Sequence, residues 1–317
     1  MSVAGTERYE WVVGPAEARS RLDHFLVSRG VLGTRSQIQH LIRAGCVSVE
    51  SQAAKSGTVL RPGQRVQVSL PPPPPSTIEP EPIPLVVLYE DDWLLIINKP
   101  AGLVVHPAAG HQQGTLVNAL LHRWQGTRQG MDVTRLGLVH RLDKDTSGVL
   151  VIAKDVATLA ALSAQFKRRE VQKEYLALTW GRFREPTGLI RAPIGRHPVH
   201  RKRMTITARG RQAVTRYAVV ESFDQATLVR VFPETGRTHQ IRVHLAAIGH
   251  PVLGDPQYSG TRLRRPVPIR RQALHAESIA IRHPVHGQTL RVVAPLPFDF
   301  EHALQMLRAQ RSSKNLA

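Results

Sequence analysis

The chain of 317 residues is poor in cysteine, in acidic side chains and in long apolar runs, and each shortage excludes a class of protein. Its single cysteine, Cys46, cannot form an internal disulfide or anchor a cysteine-based metal site. No apolar run is long enough to cross a bilayer, and the first residues lack the apolar core of a secretory signal. The sequence therefore predicts no membrane association and a reducing, cytoplasmic location.

The 24 acidic residues are outnumbered by 43 lysines and arginines, which gives a formal net charge of +19. Such an excess repels itself unless a polyanion offsets it, so nucleic acid is the leading partner. The histidine pairs at 197/200 and 283/286 have the spacing of metal ligands. Each pair encloses a proline and lacks an evident carboxylate ligand, so we expect no metal.

Five consecutive prolines, Pro71 to Pro75, divide the chain, because proline neither continues a helix nor donates to a sheet. We expect an N-terminal domain over residues 1–70, a proline-rich linker over 71–84, a main domain over 85–305 and a basic tail over 306–317.

The N-terminal segment predicts two short helices followed by short strands. Ser20 precedes apolar residues at helical spacing and is the expected cap of the first helix, and Thr34 is the expected cap of the second. Gly45 ends the second helix, and strands are expected over 47–50 and 65–70. This pattern resembles the S4-like RNA-binding module, which implies RNA contacts through the basic residues Arg21, Arg35 and Arg43.

In the main domain, apolar strands alternate with amphipathic helices. Strands are expected at 93–100, 149–152 and 174–180, helices at 114–122, 158–168 and 239–248, and an antiparallel pair at 214–220 and 226–232. The helix over 239–248 is expected to carry a basic polar face. This mixture predicts an α+β domain around a largely antiparallel sheet.

The polar segment His140–Gly148 enters the strand at 149–152 and resembles the central motif of the RluA-type pseudouridine synthases. The resemblance continues, in the order of that family, through 99–106, 173–178, 236–244 and 249–255. The segment 105–111 is similar to the ribosomal-RNA-modifying, RluD-like branch, which has an N-terminal S4-like domain. The resemblance implies the pseudouridine synthase fold, a mixed sheet with flanking helices, joined to a small N-terminal α/β RNA-binding domain.

The same resemblance implies an isomerase that converts uridine to pseudouridine by base flipping, without a cofactor. The expected substrate is large-subunit (23S) ribosomal RNA. Transfer RNA is an alternative substrate, and a noncatalytic ribosome-assembly factor is an alternative function. Nothing in the sequence demands a dimer, so we expect a monomer.

Residue by residue, the resemblance makes Asp143 the catalytic carboxylate. It would attack the sugar or the base, or abstract a sugar proton, and the sequence does not separate these roles. Arg242 would keep Asp143 ionised, since a nearby cation opposes the effect of burial. Tyr175 would stack on the uracil, and Arg141 would fill the gap left by the flipped base. The remaining expected substrate-binding residues are His140, Arg237, His239 and Gln240.

A basic loop over 196–204 is expected to contact RNA phosphates, because clustered cations bind them without sequence preference.

Overall fold

The computed structural model describes residues 7–29, 35–70, 78–106, 113–124, 137–200, 203–260 and 268–315 of the chain. The chain divides into two compact units, Met1–Thr77 and Ile78–Ala317. The five prolines and the expected cap Thr34 lie outside the described residues, as do most of segment 105–111 and two residues of the basic loop. Within the described ranges, no helix is long and apolar enough to cross a membrane.

The N-terminal unit combines two helices with a four-stranded antiparallel sheet. Its elements are β1 (Glu7–Val12), α1 (Leu22–Ser28), α2 (Arg35–Arg43), β2 (Val47–Val49), β3 (Gln52–Ala53) and β4 (Arg65–Leu70). The strand order is β1-β4-β2-β3. Alternate residues of β4, Val66 and Val68, are buried against Phe25, Leu26 and Ile38 of the two helices. One apolar face of the sheet therefore forms the core of this unit.

Two features of this unit differ from the sequence prediction. Ser20 does not cap α1, because its hydroxyl donates to the carbonyl of Glu17 (2.6 Å) and Arg21 occupies the cap position. Strand β1 was not predicted, and it pairs along its whole length with β4.

The main unit contains eleven strands and four helices in the described ranges, with the bounds β5 (Val86–Glu90), β6 (Leu94–Lys99), α3 (Leu116–Arg123), β7 (Ser147–Ala153), α4 (Val156–Arg168), β8 (Gln172–Trp180), β9 (Thr187–Arg191), β10 (Ile194–Arg196), β11 (Met204–Ile206), β12 (Val214–Ser222), β13 (Ala226–Pro233), α5 (Gln240–Ala247), β14 (Leu274–Arg282), β15 (Thr289–Val293) and α6 (Phe298–Asn315).

Nine of these strands form one mixed sheet in the order β5-β6-β7-β14-β8-β13-β12-β9, and β15 pairs with β14. The pair β7–β14 is parallel, and the other strand pairs of this sheet in the described ranges are antiparallel. Strands β10 and β11 form a separate hairpin, so the flanks of the expected basic loop are ordered as strands. The predicted α+β class with a largely antiparallel sheet is confirmed.

Strands β6 and β7 are buried on both faces. Leu95, Ile97, Leu150 and Ile152 belong to one cluster with the apolar residues of α3. The alternate residues of the same two strands belong to a second cluster, to which α4 contributes Leu162. Burial on both faces explains why these strands are continuous apolar runs rather than alternating patterns.

Two expected boundaries cut through packed structure. The side-chain amide of Asn118 in α3 donates to the carbonyl of Glu79 (2.7 Å), and the amide of Gly114 donates to the carboxylate of Glu81 (2.9 Å). Residues 78–84, assigned to the linker, therefore pack against the main unit. Helix α6 continues across the expected boundary at residue 306, and its Leu307 is 2% exposed in the core.

Candidate active site

The loop that carries Asp143 is tied to the rest of the unit through its backbone carbonyls. The carbonyl of Lys144 accepts from the buried Nζ of Lys99 (2.9 Å). The carbonyl of Asp145 accepts from Nη1 of Arg271 (3.0 Å). Both bonds hold the main chain next to Asp143. They therefore fix the direction in which the Asp143 side chain projects from the loop.

Gly148 allows this loop to enter β7 beside β14. Its φ is +113°, and a Cβ at this position would lie 2.1 Å from the carbonyl oxygen of Ala276. Gly148 and Ala276 are register partners in the parallel pair of β7 and β14. Only glycine fits where one backbone approaches another this closely.

Arg242 joins Asp143 to a second carboxylate, Asp255. Its Nη1 donates to Oδ2 of Asp143 (2.9 Å), while Nε and Nη2 donate to the two oxygens of Asp255 (2.6 and 3.0 Å). The Arg242 side chain is 5% exposed and that of Asp255 is 0% exposed, whereas Asp143 retains 18% exposure. Burial lowers the pKa of Arg242, but the two carboxylates outweigh it and hold the pKa above its usual value. Arg242 is therefore a fixed cation that holds Asp143 in place.

The burial of Arg242 corrects the prediction of a basic polar face on α5. Arg242 and His244 are both buried, since both point into the unit. His244 Nδ1 lies 2.8 Å from the hydroxyl of Thr215, and its Nε2 lies 3.0 Å from the carbonyl of Ala192. Both polar side chains are therefore partnered inside the unit.

Tyr175 stands on β8, partly buried beside the cavity that Asp143 faces. Burial raises the pKa of its hydroxyl, and the charge of Asp143 raises it further. The hydroxyl therefore stays protonated at neutral pH and can donate a hydrogen bond.

All eight expected catalytic and substrate-binding residues line one cavity of about 520 Å³. This volume lies within the range of pockets that hold small organic groups. The sequence places these residues in three separate segments between 140 and 242, and the fold brings them together.

Two of the expected substrate-binding residues use their polar atoms within the protein. His140 Nε2 accepts from the amide of Val151 (3.0 Å), and its ring stacks on Phe166 with 4.9 Å between ring centroids. Burial lowers the pKa of His140 to about 3, so its ring is neutral. The Gln240 amide accepts from the amide of Arg237 (3.0 Å) and donates to the carbonyl of Val214 (2.9 Å). Both side chains shape the wall of the cavity.

His239 caps α5 in a left-handed conformation, with φ of +55°. Its Nε2 lies 4.0 Å from Oδ2 of Asp143, and its Nδ1 lies 2.8 Å from the hydroxyl of Tyr258. Burial lowers the pKa of His239, although Asp143 opposes the shift. Tyr258 also places its ring 5.0 Å from the guanidinium carbon of Arg242.

Sequence reasoning assigned no role to Asp255, Tyr258 or Lys99. Asp255 ends the segment 249–255, and Lys99 begins the segment 99–106, so both stood in segments already singled out. No pattern connected Tyr258 with the site.

Comparison with known proteins identifies the family. Residues 93–247 match the model of the RNA pseudouridylate synthase family, and residues 20–66 match that of the S4 domain. A protein of Nitrosomonas europaea named ribosomal large subunit pseudouridine synthase D is 45% identical over 294 residues, covering 91% of this chain and 84% of that protein. Its namesake in Xanthomonas campestris pv. campestris is 42% identical over 307 residues, covering 94% and 92%. The chain belongs to the RNA pseudouridine synthase family.

The solved structure of human RNA pseudouridylate synthase domain containing 4 superposes on this synthase with a TM-score of 0.56 and 31% identity. The match covers 70% of this chain and 93% of the human one. The synthase is accordingly an isomerase that converts uridine to pseudouridine, and the predicted fold and enzyme class are confirmed.

The three arginines expected to bind RNA lie in the S4 domain of the synthase. Arg21 Nε and Arg35 Nη2 both donate to the carboxylate of Asp23, at 3.1 and 2.8 Å. Arg43 is exposed, and its Nε donates to the carbonyl of Gln39 (3.2 Å). The sequence did not indicate that one carboxylate would hold two of these cations.

The synthase does bring a carboxylate to one of the histidine pairs. His283 Nε2 lies 2.8 Å from Oδ2 of Asp91, a contact that the sequence spacing concealed. Within the described part of the chain, no group of three or more histidine, cysteine or acidic side chains is arranged to hold a metal.

Proposed function

We propose that this synthase isomerises uridine in large-subunit ribosomal RNA, with Asp143 as its catalytic carboxylate. The observation that supports Asp143 most directly is its 2.9 Å bond to the buried Arg242 at the wall of the cavity. The choice of substrate rests on the names of the two bacterial relatives, which align with most of the chain. A cytoplasmic location agrees with this substrate and with the single cysteine, Cys46.

The reaction breaks the bond between uracil N1 and ribose C1′ and joins C5 to C1′. The C5 hydrogen leaves and N1 gains a proton, so the isomerisation is balanced without an oxidant or reductant. The target base must leave the RNA stack to reach Asp143 in the cavity, and the exposed Arg141 fills the gap that it leaves.

The guanidinium of Arg242 donates to Asp143 and holds its carboxylate at the wall of the cavity. Two roles fit this arrangement: attack on the sugar or the base, and removal of a sugar proton. Tyr175 stacks on the detached uracil and donates from its protonated hydroxyl. In the S4 domain, Arg21, Arg35 and Arg43 contact RNA phosphates without reading sequence.

The test is a pseudouridine map of unmodified ribosomal and transfer RNA after incubation with wild type, Asp143→Asn or the matched control Asp145→Asn. Asp145 belongs to the same loop, and its side chain does not line the cavity. We expect new large-subunit sites with wild type and Asp145→Asn and none with Asp143→Asn, although Asp143→Asn still binds RNA.

Three outcomes would contradict parts of the proposal. Sites made by Asp143→Asn at the wild-type rate would remove the catalytic role of Asp143. Pseudouridine sites found only in transfer RNA would show that transfer RNA, and not ribosomal RNA, is the substrate. Tight RNA binding by wild type without any new site would favour the assembly-factor function.

A further inference from the structure

Three arginines from separate elements line the cavity: Arg169 at the end of α4, Arg211 after β11, and Arg237 before α5. Arg237 Nε donates to the carbonyl of Gln212 (3.2 Å). The guanidinium groups of Arg169 and Arg211 form no hydrogen bond or ion pair with any residue that the structure describes. Burial lowers the pKa of Arg237 most, and the charges of Arg211 and Arg169 lower it further. Arg237 therefore stands close enough to Arg211 and to Arg169 to be repelled by both.

The carboxylates beside this cluster bind other cations. Glu170 follows Arg169 in the chain, but it accepts two hydrogen bonds from Arg168, at 2.6 and 3.0 Å. Glu234 lines the cavity, yet it pairs with Arg216 at 3.0 Å. The charge of the three arginines is thus left for a ligand.

The backbone of Arg169 supplies an independent argument. Arg169 follows α4 with φ of +61° and ψ of +31°, in the left-handed region. Its amide donates to the carbonyl of Phe166 (3.2 Å), and that of Glu170 donates to the carbonyl of Gln165 (3.0 Å). These two bonds define the Schellman ending of a helix, where glycine is favoured because a Cβ is strained. An arginine here lowers the stability of the fold, and no hydrogen bond or ion pair of its side chain with a described residue offsets that cost.

We infer that Arg169, Arg211 and Arg237 form a clamp for a phosphodiester group of the substrate RNA, beside the nucleotide whose base enters the cavity. The inference rests on the proposed function. Guanidinium groups bind phosphate oxygens through paired, charge-assisted hydrogen bonds, and three of them at one cavity match a group with several acceptor oxygens. The clamp holds the backbone and reads no base.

The decisive variant is Arg169→Gly in the full-length synthase, because stability and RNA binding should change in opposite directions. We expect the melting temperature to rise by about 2 °C, since glycine relieves the strain. We expect KM for RNA to rise about fivefold with a change in kcat of less than twofold, and the salt dependence of log Kd to become shallower by about 1.

Arg168→Gln is the matched control, because it removes the neighbouring cation, which is already paired with Glu170. It should leave KM and the salt dependence unchanged. Arg211→Gln should reproduce the rise in KM and the shallower salt dependence without raising the melting temperature, because Arg211 does not occupy a left-handed position.

Binding is measured by titrating a fluorescent RNA hairpin of large-subunit sequence at several salt concentrations. If the Arg169→Gly and Arg211→Gln variants keep the wild-type Kd and salt dependence, these arginines do not bind an RNA phosphate and the clamp proposal is rejected, even when turnover is normal. If wild type binds the hairpin but makes no pseudouridine in any ribosomal or transfer RNA, the proposed function fails instead, and the titration still decides the clamp.

Discussion

Asp23 in the N-terminal unit and Asp143 in the main unit both bind arginine. In the first ion pair the carboxylate is buried, whereas in the second the arginine is buried. Asp23 is 0% exposed, and its partners Arg21 and Arg35 are 50% and 51% exposed. Asp143 is 18% exposed, and its partner Arg242 is 5% exposed.

A buried charge requires partners on several sides, whereas a half-exposed one keeps some of its hydration. In the S4 domain, the buried carboxylate fixes two cations that still face solvent. In the main unit, the buried cation fixes a carboxylate that faces the cavity, and Asp255 supplies the second negative charge that burial of Arg242 demands. An aspartate–arginine ion pair can therefore expose either a positive or a negative charge, depending on which partner is buried.

The largest difference should appear when the arginine is removed. Arg242→Leu leaves Asp255 buried without a cation, so we expect the free energy of unfolding to fall by about 3–5 kcal/mol. Arg21→Leu in the S4 domain removes a half-exposed cation and should cost less than about 1 kcal/mol. Urea titration of both variants measures the difference, and equal losses would mean that the two arrangements do not differ in this way.

Mild acid should weaken the main unit through His140. Its folded pKa of about 3 lies below its usual value of 6.5, so below pH 6.5 the unfolded chain binds a proton that the folded one does not. Stability is then lost as the pH falls from 6.5 towards 3, by about 2 kcal/mol at pH 5. In His140→Gln, whose carbonyl can still accept from Val151, this part of the loss should disappear. Urea titrations at pH 8 and pH 5 measure the loss in each protein. If His140→Gln loses as much stability between these pH values as wild type does, His140 is not the neutral group proposed.

The arrangement in the S4 domain should persist under the same conditions. Burial raises the pKa of Asp23, but hydrogen bonds from Arg35, Gln39 and Arg21 outweigh it and hold the pKa well below its usual value of 3.8. A lowered carboxyl pKa contributes stability that is lost only as the pH falls below that usual value. Asp23 therefore remains charged at pH 5.

The smallest effect should come from Asp23→Asn. The change makes the protein more positive, yet we expect RNA affinity to fall about threefold, because Arg21 and Arg35 lose the carboxylate that orients them. A filter-binding titration of full-length protein at fixed salt measures the change. The reverse outcome, tighter binding, would show that total charge matters and orientation does not.

Much of the fold was predictable because local patterns determine it. The aliphatic run Val149–Ile152 lies within β7, which is buried throughout, and Thr115 caps α3 by accepting from the amide of Asn118. Strand β1 and the packing of residues 78–84 were missed, since both depend on partners distant in the chain. Their stabilising contacts are the pairing with β4 and the hydrogen bonds to residues 114 and 118.

The sequence by itself determined the family, the fold class and eight of the residues that line the cavity, because these are carried by segments that can be read one at a time. Only the tertiary structure decided which charges are buried. Arg242 lies 99 residues after Asp143 in the chain, and its pattern on α5 indicated a solvated face. The family resemblance had supplied Asp143 as its partner, but the second carboxylate, Asp255, was not foreseen, because no local pattern records a partner that folding brings from elsewhere.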